Sequence, residues 1–303
     1  MFVLVLNASN VDTSANNDNN TLVYNFPNSV VLKDKYIAVS QIVMYYAWFN
    51  ITSKYSNNTF TYSWTVAGLT NVFPVVIPDG LYEITDINAY LQWTMIKNGH
   101  YLINASGDNV YYVELLVNPN RYAIQLNTYL VPQALPVGFV QPANFAGYPT
   151  TRQNPVVVFP LSFNNIVGYY ANFTSNSNFN NAYVPPTPDI TNNYVAEDAL
   201  GTLSYLSNTN PDVQPNSSIY LSMSNINNPY SQPSSILYAI TPNVAIGEQI
   251  IETPPNFMWN KMIDGTYNSL RVQLLGIDKR PIVMKDPNMT IILTIRDKDE
   301  NLI

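Results

Sequence analysis

Few residues in this chain could do acid–base, nucleophilic or metal chemistry. Its 303 residues include one histidine, His100, and no cysteine. Without cysteine there is no disulfide, no thiolate zinc site and no thiol nucleophile. A lone histidine has no second imidazole with which to share a metal. His100 stands between Gly99 and Tyr101, just past a helix stop, where a surface position is expected rather than a catalytic base. Neither a G-x-S-x-G elbow nor a G-x-x-x-x-G-K-[ST] phosphate loop occurs. Carboxylates remain. Glu197-Asp198 could bind a cation but reads as a solvated pair. Asp297, Asp299 and Glu300 have the look of a calcium loop but lack its glycine and distal glutamate. A glycosidase needs two carboxylates facing each other across a cleft, and nothing marks such a pair among the 20 acids. No catalytic, cofactor-binding or metal residue is therefore assigned, no cofactor is expected, and the chain reads as non-enzymatic.

The aromatics carry more information. Tyr45, Tyr46, Trp48 and Phe49 cluster at one strand end, and Tyr169, Tyr170 and Phe173 cluster in another segment. Half of these rings are expected in the core. The rest would line a protein interface or a sugar platform.

The elements that would position these groups are mostly strands. Phe2 to Leu6, Thr21 to Phe26 and Tyr36 to Tyr46 are apolar or alternating runs broken by Asn, Pro and Gly. Phe60, Tyr62 and Trp64 share one strand face, with Thr59, Thr61, Ser63 and Thr65 on the other. Pro78-Asp79-Gly80 is a turn, and Asn118-Pro119-Asn120 joins a hairpin. Strand signals resume at Ile219, Ile236, Ser269 and Met289. One amphipathic helix is expected over Tyr82 to Met95, where Ile84, Ile87, Leu91 and Met95 recur at helical spacing. Thr85 is its expected N-cap and Asn98-Gly99 its stop. About ten short strands with no βαβ rhythm argue for an all-β fold. The long loops suit a jelly-roll β-sandwich. The expectation is a single jelly-roll domain over 1–303. The stretch around 172–215, dense in Asn, Ser and Pro, is either a long connection or a small loop-rich insertion.

Charge bounds the partners. Only 11% of residues are charged and the net charge is −7, while Asn reaches 42, Tyr 23 and Pro 22. These residues suit turns, edges and broad neutral contact surfaces. Arg152 is the only basic residue between Tyr122 and Asn260, so nucleic-acid contact is not expected. Lys261 to Lys298 holds seven of the 13 basic residues, interleaved with acids, and reads as solvated strand ends. No run approaches the ~18–20 apolar residues of a spanning helix, and no membrane span is expected. The opening MFVLVLNASN has no basic start and is cut short by Asn7, unlike a signal peptide.

Four pieces, taken in order, carry a resemblance. Phe2-Val-Leu-Val-Leu-Asn-Ala-Ser9 precedes a polar loop and Asn20-Thr-Leu-Val-Tyr-Asn-Phe26. Leu32-Lys-Asp-Lys-Tyr-Ile-Ala-Val-Ser-Gln-Ile42 leads into Trp48-Phe-Asn-Ile51. Ile77-Pro-Asp-Gly-Leu-Tyr82 introduces the helix with Ile87-Asn88 and Leu91. Last come Ile219-Tyr-Leu, Ile236-Leu-Tyr, Tyr267 to Leu274, Lys279-Arg-Pro-Ile282 and Met289 to Arg296. This order resembles the penton, or minor capsid, proteins of virophages and Polinton-type elements. The resemblance implies a single jelly roll, sometimes with an inserted domain, and no catalytic residues. It further implies a homopentamer at the five-fold vertices of an icosahedral virion, partnered by the major capsid protein and assembled in the host cytoplasm. The alternative is a β-sandwich carbohydrate- or receptor-binding module. A hydrolase on the same scaffold is a third reading, with no acid pair to start from.

Overall fold

The computed structural model describes residues 1–14, 18–175, 202–212 and 217–298. Its strands, in chain order, open with β1 (Phe2–Leu6), β2 (Thr21–Leu32) and β3 (Lys35–Tyr45). Then come β4 (Thr59–Val66), β5 (Leu69–Val76), β6 (Tyr101–Ile103), β7 (Asn109–Tyr111), β8 (Val113–Asn118) and β9 (Ala123–Thr128). They are followed by β10 (Val157–Phe159), β11 (Phe173–Thr174) and β12 (Leu203–Leu206). The series ends with β13 (Ile219–Met223), β14 (Ile226–Asn227), β15 (Ile236–Ile240), β16 (Gln249–Glu252), β17 (Asn260–Met262), β18 (Gly265–Leu275) and β19 (Thr290–Asp297). Two α-helices, α1 (Ile84–Asn98) and α2 (Asn164–Val167), accompany them among the described residues. The chain is all-β in character, as its alternating runs require.

Two compact units emerge. Unit 1 comprises Met1–Asn50 and Gln214–Ile303, and unit 2 comprises Ile51–Val213. This division differs from the expected single domain with an insertion near 172–215. The second unit starts far earlier, directly after β3. Its strands β4 and β5 carry the same period-2 pattern as jelly-roll strands, and periodicity cannot tell which strands share a core. Residues 176–201 and 213–215 of the expected insertion lie outside the described residues.

Unit 1 contains two antiparallel sheets. One runs β1-β19-β3-β17-β14, with β16 also on β3. The other runs β15-β13-β18-β2. The eight principal strands can be lettered B to I in chain order as β1, β2, β3, β13, β15, β16, β18 and β19. The sheets then read B-I-D-G and F-E-H-C, with β17 as a second segment of G on β3. That order is the jelly roll, two interleaved Greek keys. Its core draws on Leu4, Leu6, Ile42, Met44, Ile291 and Leu293 from one sheet and Leu221, Leu270, Val272 and Leu274 from the other, all buried. Each such side chain contributes about 1.5–3 kcal/mol by leaving water.

Unit 2 is inserted in sequence between strands D and E. It has sheets β11-β10-β4-β5 and β12-β9-β8, the hairpin β6-β7 and helix α1 around its own core. Phe60, Tyr62 and Trp64 on β4 point into that core, and Ile84, Ile87, Leu91 and Met95 on α1 pack there. The N-cap of the helix is Glu83, not the expected Thr85, which lies inside the first turn. The Glu83 backbone N–H donates to the Asp86 carboxylate at 2.8 Å. Its stop is at Gly99 (φ +70°), where a Cβ would lie 1.9 Å from the Asn144 carbonyl oxygen. Only glycine fits that left-handed, crowded position.

Candidate interaction surface

His100 is not on the surface. It is 1% exposed in the core of unit 2, which corrects the expectation from its place after the helix stop. Gly99 reverses the chain and sends His100 inward. Its ring stacks on Trp64 at 4.6 Å and meets Phe73 edge-on at 4.4 Å. Its Nδ1 lies 2.7 Å from the Tyr62 hydroxyl, which also accepts from Asn98 Nδ2 at 3.0 Å. While accepting from Asn98 the Tyr62 hydroxyl has its proton to donate to an unprotonated Nδ1, an arrangement that suits a neutral imidazole. Burial pushes its pKa down to about 4. Burial likewise pushes Tyr62 up to about 12, against the opposing Asn98 bond. The group is a packing residue whose one polar contact is satisfied.

The carboxylates are also accounted for locally. Asp79 sits in the Pro78-Asp79-Gly80 turn and accepts from Thr52 Oγ1 at 3.0 Å, Ser53 N at 2.7 Å and Ser53 Oγ at 3.1 Å. Partial burial acts to raise its pKa, but these donors outweigh it and hold the group below its usual range. Asp297 pairs with Lys35. Glu197, Asp198, Asp299 and Glu300 lie outside the described residues. Among the described residues no group of three or more His, Cys, Asp or Glu is placed to hold a metal ion. No helix among them is long and apolar enough to cross a membrane.

Most of the highlighted rings are core. Tyr46 and Trp48 stack at 4.2 Å and are buried, as are Tyr169 and Phe173. The Tyr169 hydroxyl accepts from Leu126 N at 3.0 Å and donates toward Tyr205 O at 2.7 Å. A recess beside Trp64, lined by Ser63, Gln153 and Asn154, holds about 10 Å³. That is room for about one water, too small for a sugar ring.

The outer faces of the two jelly-roll sheets differ in chemistry. On the β18 sheet the outward register holds Asn25, Ser269, Arg271 and Gln273 together with Val23 and the buried Ser222 and Leu275. Arg271 pairs there with Asp12 at 3.4 Å. On the β1 sheet the outward register mixes apolar and polar residues, with Val3 opposite Thr294. Val5 lies opposite Ile292, which lies opposite Gln41. In the next row Thr290, Val43 and Ile251 face one another across three strands. Val3, Val5 and Ile251 are 54%, 47% and 61% exposed. The face also carries charge: Arg296, stacked over the Trp259 ring at 4.3 Å, lies opposite Tyr36, which lies opposite Lys261. Of the three runs on this sheet only FVLVL is apolar on both faces; TIILTI and QIVMY set Thr290, Thr294 and Gln41 among their outward positions.

Comparison with known proteins gave no matching family model and no matching curated sequence. Solved structures do match. One is the crystal structure of the selenomethionine-labelled mavirus penton protein, at 9% identity and TM-score 0.38, covering 97% of each chain. Another is a chain in the 3.5 Å cryo-EM structure of the Sputnik virophage, at 11% identity and TM-score 0.33, covering 92% of this chain and 98% of that one.

Proposed function

We propose that the protein is a viral capsid building block of the penton type. Five copies close a vertex of an icosahedral shell, with the major capsid protein as neighbour, in a virion assembled in the host cytoplasm. The observation that carries this reading is the strand order of unit 1, B-I-D-G against F-E-H-C. Jelly rolls of this kind recur in capsid and lectin domains, so the surface has to choose between them. Of the rings that would form a sugar platform, Tyr46, Trp48, Tyr169 and Phe173 are buried, and the exposed Trp93, Tyr122 and Tyr230 stand on separate elements. A capsid unit needs neutral surfaces that desolvate cheaply against protein, and only 11% of this chain's residues are charged. The ordered sequence resemblance to virophage pentons supports the same choice. On this reading the chemistry is mechanical: head-to-tail contacts related by rotation close a ring. Co-expression with a major capsid protein, followed by imaging of the particles, tests it. Density for this chain is expected at the five-fold vertices. Particles that exclude it, together with specific binding on a glycan array, would favour the carbohydrate-binding alternative.

A further inference from the structure

We infer that Asn98-Gly99 is a latent deamidation site, held shut by the end of α1 and wired through Tyr62 to His100. Among 42 asparagines and 11 glycines this is the one place where glycine follows asparagine. Glycine has no Cβ to screen its amide nitrogen, so ring closure meets the least steric resistance here. In that step the Gly99 nitrogen attacks the Asn98 side-chain carbonyl carbon. A C–N bond forms, the Cγ–Nδ2 bond breaks and ammonia leaves with the Gly99 amide proton. Water then opens the cyclic imide to aspartate or isoaspartate. Nothing is oxidised or reduced, and water is the only co-reactant.

The fold withholds the attacking atom. The Gly99 N–H is turned back onto the Ile96 and Met95 carbonyls, and the Gly99 carbonyl accepts from Ala146 N at 3.0 Å. Asn144 Nδ2 donates to the Ile96 carbonyl at 2.9 Å and braces the same turn. Asn98 is the last residue of the helix. Closing the five-membered imide needs the Gly99 nitrogen in line with the Asn98 side chain, a backbone setting outside the helical one. The leaving nitrogen is held as well, because Asn98 Nδ2 donates to the Tyr62 hydroxyl at 3.0 Å. Reaction therefore waits for the helix end to open.

The same amide is one end of a relay. The Tyr62 hydroxyl that accepts from it lies 2.7 Å from His100 Nδ1. An aspartate at 98 offers acceptors only, and a charged acceptor takes the single phenolic proton. Nδ1 then loses its donor. Pairing is restored when the imidazole binds a proton and donates to Tyr62. Imidazolium, phenol and carboxylate then form one chain with balanced charges. The other groups facing the imidazole, Trp64 from β4 and Phe73 from β5, are uncharged. One hydrolysis thus turns a neutral packing histidine into a cation.

Peptide-mapping mass spectrometry of the full chain, aged in mildly alkaline buffer with and without concentrated urea, tests the gate. Position 98 should deamidate in urea, and about a hundredfold or more slowly in the folded chain, where attack needs a local opening. Equal rates in the two states, or an inert position 98 in urea, would overturn the inference. Proton NMR of the single histidine tests the wiring. In Asn98→Asp its titration midpoint should rise by about one unit or more over the parent. In Asn98→Ala, which removes the donor without adding charge, no rise is expected. A midpoint in Asn98→Asp no higher than in Asn98→Ala would overturn the link to His100. The ageing experiment uses the parent chain, so it decides the gate even where a variant fails to fold.

Discussion

Mild acid should loosen unit 2 through one side chain. His100 titrates at about 4 in the folded protein, against about 6.5 when exposed. Its folded pKa is depressed, so the unfolded chain binds the proton more readily. The stabilisation is complete above about pH 6.5 and is lost as pH falls toward 4. The full window is worth about 3 kcal/mol. At pH 5, where most carboxylates are still ionised, the loss should already be about 2 kcal/mol. The rings that meet the imidazole are Tyr62 and Trp64 from β4 and Phe73 from β5, and none offers a compensating negative charge. A protonated Nδ1 would also force the Tyr62 hydroxyl to accept twice and strand its own proton. Urea titrations at pH 7.5 and pH 5, read by tryptophan fluorescence, measure the effect in the parent and in His100→Gln. The parent should lose about 2 kcal/mol more than the variant between the two pH values. Equal losses in both proteins would refute the reasoning.

Other outcomes follow from the same contacts. His100→Ala should cost about 2–4 kcal/mol by opening a cavity against Trp64 and Phe73, seen as a lower urea midpoint, whereas a surface histidine would have been silent. Asp79→Ala removes the acceptor for three donors from Thr52 and Ser53 and should cost about 1–2 kcal/mol, checked by thermal melting. Gly99→Ala sets a Cβ against the Asn144 carbonyl at positive φ and should cost more than about 1 kcal/mol, measured the same way. Tyr169→Phe strips a buried hydroxyl from Leu126 and Tyr205 and should cost about 1–3 kcal/mol.

Much of the fold was legible in the residues. The strand runs, the Pro78-Asp79-Gly80 and Asn118-Pro119-Asn120 turns and the helix face of Ile84, Ile87, Leu91 and Met95 all reflect local rules. What escaped depends on long-range pairing. The partner of β3 after the 51–213 insertion is β16 or β19, more than 200 residues away, and nothing local in β4 says that it joins a different core. His100 was misplaced because its direction depends on the left-handed turn at Gly99 and on rings from β4 and β5. Only the register shows that Val5, Ile292, Val43 and Ile251 share one side with Gln41, Thr290 and Arg296.

The most direct measurement is the native mass of the purified chain across a salt series. The account predicts five chains of 34.1 kDa, about 170 kDa. That mass should persist from low to high ionic strength, because screening acts on exposed charges and the contact has few. A strict monomer that also fails to enter particles made with a major capsid protein would contradict it.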